Sequence, residues 1–320
     1  MAAIKINKYK IFPGQSQEII LNTYQLASRT NIDIPMFVMR SVNPGPVVLL
    51  QAGMHGDEIN GIETLRNLLR MPEIKAPLRG TIIIIPILNV ISFINGSRDL
   101  PDEKDLNRCF PGSRAGSLGS RIAYDLIKEV IPQIDFGIDF HTGGAKINNY
   151  PQLRCVFENA ANIDIANKFG ASFLINSGYR EKSLRKEAEK RGKSILVFEG
   201  GESLRFNKQA INEGIQGCLR LLNKLEMTNV PVPENTTIII ERSTWVRAKI
   251  SGLFRTTKKY GVFIEKGDEI GTLADPYGVS ELKLIAPEDC FIIGINNQPV
   301  INEGDAIMHL GFEKYLGLLL

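Results

Sequence analysis

The chain has 320 residues, 43% hydrophobic and 23% charged, a length that suits one large domain plus a smaller one better than a single core. Its 38 basic and 35 acidic residues are intermingled and leave a net charge of +3, which gives no reason to expect a nucleic acid or a membrane as partner. The start, MAAIKINKYKIF, holds no signal-peptide core, no later run reaches membrane-span length, and the four cysteines form no CxxC pair. A cytoplasmic protein with reduced thiols is therefore expected.

Residues 1–44 contain alternating stretches, QEIILNTYQLAS and IPMFVMRSV, which read as short strands joined to the catalytic unit. From Pro46 the pattern changes. PVVLLQAG reads as a strand and NGIETLRNLLRM as a helix with Ile62, Leu65 and Leu69 on one face. GTIIIIPILN is apolar enough for a strand buried on both sides. LGSRIAYDLIKEVI is helical by the spacing of Ile122, Leu126 and Val130, and DFGIDFHTGG is a strand ending in a turn. NAANIDIANKFG is a helix and SFLINS a strand. KSLRKEAEKRG reads as a solvated helix stopped by Gly192, KSILVFEGG as a strand, and KQAINEGIQGCLRLLNKLE as a closing helix. This alternation predicts an α/β fold over residues 45–229, a sheet flanked by helices.

The proline-punctuated stretch NVPVPEN marks a linker, and 230–320 reads as a smaller all-β domain. It holds an internal repeat: FIEKGDEIGTL and VINEGDAIMHL match in register at Ile, Gly, Asp, Ile and Leu. Two Gly-Asp turns entering strands predict a pseudo-symmetric barrel or sandwich. The segment resembles the biotinyl/lipoyl-carrier type of β domain. Its hairpin, DPYGVSELKL, lacks the modified-lysine motif of such carriers, so a structural or covering role is expected instead.

The chemistry concentrates at strand ends. In MHGDE, His55 and Glu58 are three apart where a strand passes into a helix, so their side chains can converge on one point. An imidazole and a carboxylate suit zinc, and His141 in DFHTGG, at another strand end, is the candidate third ligand. Asn107 and Arg108 stand together in the loop DLNRCFPG, with Arg98 upstream, and Arg is the side chain best shaped to grip a carboxylate. Glu199 in FEGGE is placed to move a proton, with Glu202 as its rival, expected to face solvent. Each feature alone has a plain structural reading: a hydrogen-bonded strand-end histidine, a salt-bridged surface loop, a solvated acid.

Together, the order HGDE, DLNRCFPG, HTGG and FEGGE over roughly residues 46–225 resembles the aspartoacylase/succinylglutamate desuccinylase family, a branch of the zinc carboxypeptidase-like superfamily. That resemblance implies a zinc-carboxypeptidase-like mixed sheet flanked by helices, with a C-terminal barrel-sandwich-like β domain over the site. It implies one Zn²⁺ per chain on His55, Glu58 and His141, and a substrate carboxylate on Asn107 and Arg108. Arg98 would hold the polarised carbonyl or an acidic group, and Glu199 would be the general acid/base. Arg154 is the candidate for a further substrate-reading arginine. The implied activity is removal of an acyl group from an N-acylated amino acid or a related small amine, with self-association into a homo-oligomer left open. The rival readings are a metallocarboxypeptidase acting on short peptides and a non-catalytic binding protein on the same scaffold.

Overall fold

The computed structural model describes residues 2–144 and 146–313. In chain order the strands are β1 (Ile4–Ile6), β2 (Tyr9–Ile11), β3 (Ser16–Gln25), β4 (Asn31–Arg40), β5 (Val47–Gln51), β6 (Thr81–Ile85), β7 (Phe136–Gly143), β8 (Ile147–Cys155), β9 (Phe173–Asn176) and β10 (Ser194–Glu202). There follow β11 (Ile238–Arg247), β12 (Gly252–Arg255), β13 (Phe263–Ile264), β14 (Glu269–Ala274), β15 (Glu281–Ile285), β16 (Cys290–Asn296), β17 (Val300–Ile301) and β18 (Ala306–Glu313). The α-helices are α1 (Ile59–Leu68), α2 (Pro72–Lys75), α3 (Val90–Asn95), α4 (Leu118–Asp125), α5 (Ala160–Phe169), α6 (Leu184–Glu189) and α7 (Lys208–Lys224). None is long and apolar enough to cross a membrane.

The α/β class expected from the alternation is what the chain adopts. Among the described residues, twelve strands form one mixed sheet in the order β13-β16-β18-β11-β9-β8-β10-β7-β5-β6-β4-β3. Its centre, β10-β7-β5-β6, is parallel, and β6 is buried along its whole length, as a strand covered on both faces must be. Two apolar clusters lie on the two faces. One packs Leu49, Ile83 and Ile85 against Leu106, Leu126 and Leu184. The other packs Leu50, Phe140 and Phe198 against Leu65, Phe169 and Leu221.

Two expectations change, and one strand was not foreseen. The helix begun at Leu118 stays α-helical only to Asp125, then widens through 126–130 and tightens at 131–133 before Pro132 ends it. Helix α6 is not a freely solvated helix: it buries Leu184, Glu187 and Ala188 against the main core. And β8, INNYPQLRC, lies in the middle of the sheet between β9 and β10, although its sequence has neither apolar alternation nor an apolar run. Its Pro151 sits where the β8–β10 register is irregular, the position at which an inner strand tolerates a missing N–H.

From 238 onward the described residues form only strands. They continue the main sheet: β11 runs parallel to β9 and β16 antiparallel to β8. The internal repeat appears as two matching strand–turn–strand units, with Gly267 and Gly304 at φ near +90° in open turns. The first unit puts its short strand, β13, in the main sheet and its long strand, β14, in a separate four-stranded sheet; the second does the reverse with β17 and β18. A cluster including Phe254, Leu273, Ile292 and Leu310 fills the space between.

Candidate active site

The loop between β5 and α1 owes its shape to two glycines. Gly53 turns the chain at φ +63°, and a Cβ at Gly56 would lie 1.9 Å from the Ser92 carbonyl carbon. The loop therefore lies backbone-to-backbone on α3, and His55 and Glu58 point inward rather than to solvent. Glu58 takes the N-cap position of α1 but spends neither oxygen on the helix backbone. Both face imidazoles instead: Oε1 is 2.8 Å from Nδ1 of His55, and Oε2 is 2.8 Å from Nδ1 of His141. The Thr142 N–H also donates to Oε2.

Each imidazole is fixed from its far side. His55 Nε2 is 3.0 Å from Asp105 Oδ1, and His141 Nε2 is 2.9 Å from Asp139 Oδ2. Asp139 sits two residues before His141 on β7, on the same face of the strand, and also accepts from Gln51 of β5. This is the arrangement that ligating histidines use: the outer nitrogen binds a carboxylate, which leaves the inner one for a cation. One ligand atom from each of His55, Glu58 and His141 lies within 4.8 Å of the others, so the donor set fits a zinc-type ion.

The charges agree. Burial works against a charged Glu58, yet the two imidazoles outweigh it and hold the carboxyl well below the usual range. Burial likewise opposes charge on the rings. Glu58 and Asp105 still raise His55, and Asp139 and Glu58 raise His141 well above an ordinary histidine. Asp105 is held far down against its burial, chiefly by His55 and Arg98. Three carboxylates thus surround two imidazoles in a site that wants positive charge.

A cleft of about 310 Å³ opens on this cluster, and all eight residues singled out in the sequence border it. Arg98 reaches the cluster itself, with Nη1 2.9 Å from Glu58 Oε1 and Nη2 3.0 Å from Asp105 Oδ2. Asp105 begins the single tight turn 106–108 by accepting from the Asn107 N–H, and this sets Asn107 and Arg108 on the wall. The Asn107 side-chain oxygen accepts from the Leu184 N–H, so its amide group is the end left for a ligand. Glu199 of β10 stands beside His141 of β7 in the parallel register. Its two oxygens are taken by Asn149 Nδ2 at 2.7 Å and Arg154 Nη1 at 2.9 Å. Glu202 does not face solvent as expected: it is buried, accepts from Asn297 Nδ2 at 2.7 Å, and lies outside the cleft.

Several residues in or behind the cleft wall escaped the sequence reading. Asp105 and Asp139 stood inside the quoted motifs, and the spacing Asp-x-His in a strand was a usable signal for Asp139. Arg180 comes from the segment before α6 and Arg185 from its first turn, where nothing periodic marks them. Arg185 is half-buried, donates to the Ser177 carbonyl and lies over the Tyr179 ring, and the desolvation lowers its pKa. Trp245 of β11 brings the C-terminal segment into the wall, stacked flat on His309 at 4.4 Å. Burial, with Arg154 nearby, pushes His309 down to about 3, so that ring is neutral.

Comparison with known proteins agrees with this geometry. Residues 44–225 match the succinylglutamate desuccinylase/aspartoacylase catalytic domain. The chain is 28% identical over 293 residues to the N-alpha-acetyl-L-2,4-diaminobutyric acid deacetylase of Halomonas elongata, covering 86% of this chain and 84% of that protein. Two solved structures share the fold. The succinylglutamate desuccinylase/aspartoacylase of Rhodobacter sphaeroides superposes with a TM-score of 0.82 at 24% identity, over 93% of this chain and 95% of the other. The product-bound ectoine utilization protein EutE (DoeB) of Ruegeria pomeroyi gives 0.81 at 23% identity, over 93% and 94%. The chain belongs to the succinylglutamate desuccinylase/aspartoacylase family.

Proposed function

We propose that this protein is a zinc-dependent amidohydrolase that removes the acyl group from an N-acylated amino acid or a related small acylated amine. The observation that carries the reading is the convergence of His55 Nδ1, Glu58 and His141 Nδ1, each ring anchored by its own aspartate, beside Glu199 in one cleft. The deacetylase relative supports the same reaction type. Residues 45–229, with the strands of 1–44, make the catalytic unit on a carboxypeptidase-like sheet, and 230–320 is the β domain that walls the cleft, its last seven residues lying outside the described ones. One zinc per chain and a cytoplasmic setting complete the proposal; the four cysteines are free, which suits a reducing compartment.

His55, Glu58 and His141 would hold a zinc ion, which when bound would supply Lewis acidity to the amide carbonyl and to a water whose pKa would fall toward ~7. Arg108 and the Asn107 amide grip the substrate carboxylate and fix its register. Arg98, at the edge of the cluster, faces the carbonyl oxygen as negative charge develops there. Glu199 accepts a proton from the attacking water. The water oxygen bonds to the carbonyl carbon, the C–N bond breaks, and Glu199 returns the proton to the departing nitrogen. Arg154 stands beside Glu199 with its Nε unpartnered, so it borders both base and substrate.

The test is a screen of N-acetyl, N-succinyl and N-formyl amino acids against dipeptides, with the zinc-loaded protein. Turnover of acylated amino acids supports the reading. Turnover confined to dipeptides overturns it in favour of a carboxypeptidase.

A further inference from the structure

Glu199 is held more closely than a free base needs to be. A glutamate at a strand end has three rotatable bonds and, left alone, samples many orientations. Here each oxygen has one partner: Asn149 donates to Oε2, and Arg154 Nη1 forms an ion pair with Oε1, both from the adjacent strand β8. A carboxylate oxygen has two lone-pair sites, so one donor on each leaves a free site on each for an incoming proton. The pair restricts the carboxylate without blocking it.

The Asn149 end of this arrangement is set from the C-terminal segment. Asn149 is buried, and its Oδ1 accepts no hydrogen bond among the described residues. Gly294 of β16 pairs with it across the sheet, and a Cβ on Gly294 would lie 2.6 Å from that Oδ1. Gly294 does not have a left-handed φ, so the backbone would accept alanine and the objection is steric alone. What would have to give is the end of the Asn149 side chain, the same amide that holds Glu199.

We infer that Asn149 and Arg154 are positioning residues that clamp Glu199, and that Gly294 lets the C-terminal segment set the clamp by leaving room for the Asn149 amide. The inference rests on the reading of Glu199 as the proton-transfer group. It gives the segment after residue 229 a part in the chemistry besides walling the cleft.

The test compares Gly294→Ala, Asn149→Ala, Arg154→Ala and Arg154→Lys in the zinc-loaded full chain, using the N-acetyl amino acid that the native protein turns over fastest. Each is also combined with Glu199→Gln. With Glu199 present, Gly294→Ala, Asn149→Ala and Arg154→Ala should lower kcat about 10- to 100-fold, the cost of a misplaced group, with zinc content near native throughout and KM near native in Gly294→Ala and Asn149→Ala, which do not border the substrate as Arg154 does. Arg154→Lys should recover part of the loss. With Gln at 199 the same substitutions should lower the residual rate no further, because they act through the missing carboxylate. Should Gly294→Ala fold poorly, Asn149→Ala carries the same comparison. Native kcat in Gly294→Ala and Asn149→Ala, or equal losses with Glu and Gln at 199, overturns the clamp. Full turnover in Glu199→Gln alone overturns the base assignment and the clamp with it.

Discussion

The two sides of the cleft are built differently. On the His55–His141 side every ring nitrogen and both Glu58 oxygens have partners, and the network runs through Asp105, Asp139, Arg98 and the Gln51 Nε2, leaving only Gln51 Oε1 behind it without a partner among the described residues. On the facing side, three buried polar atoms of cleft-lining residues have no partner among the described residues: Arg154 Nε, Arg185 Nε and Asn149 Oδ1. A satisfied network is stiff, because moving one member strands a buried group at a cost of about 1–3 kcal/mol. Unpartnered donors lining a cavity are what a polar ligand can satisfy. One wall is therefore finished for a cation, and the other is left open for a substrate.

Substitutions at each wall should separate the two roles. Glu199→Gln keeps shape but loses the proton acceptor, and kcat should fall by roughly 10²–10⁴ with zinc retained; pre-steady-state rates with zinc analysis check this. Glu202→Gln should change the rate little, since Glu202 lies outside the cleft. Arg108→Ala should weaken transition-state binding by on the order of 2–4 kcal/mol, and only for substrates with a free carboxylate. Comparing each substrate with its amide shows whether that penalty disappears, and equal sensitivity in native and variant protein would make Arg108 a loop residue.

Asp139→Asn acts on the closed wall, so its signature is reversed: metal affinity should drop about 10- to 100-fold, measured by chelator competition. A normal zinc affinity would show that the buried carboxylate behind His141 serves packing only. A smaller effect concerns pH. The carboxylates raise both imidazoles above their ordinary value, so Nδ1 protonation competes with metal from above pH ~6.5 downward. Zinc affinity should be full at higher pH and fall progressively on acidification. In Asp139→Asn, where one raising charge is gone, the fall should begin at lower pH.

The closed wall was legible because its residues are local. His55 and Glu58 share one turn, and glycines and short apolar strands frame His55, Glu58 and His141. Asn107 and Arg108 were legible for the same reason, as neighbours in one tight loop. On the open wall Glu199 and Arg154 were picked out, but Asn149 and the inner place of strand β8 were not, because β8 is a polar sequence with a central proline and its identity as an inner strand comes from its neighbours β9 and β10. Arg185, Trp245 and Gly294 reach the site only through tertiary pairing of segments far apart in the chain. Sequence periodicity reports which face of an element is buried; it carries no information on which distant strand lies beside it.

The central claim is that His55, Glu58 and His141 hold the ion on which hydrolysis depends. The most direct measurement is zinc content per chain, made in parallel with N-acyl amino acid hydrolysis, for native protein and His141→Ala. The account predicts about one zinc per native chain, and loss of both metal and turnover in a variant that keeps its fold by circular dichroism. Full zinc occupancy in folded His141→Ala, or undiminished hydrolysis after its zinc is removed, would contradict it.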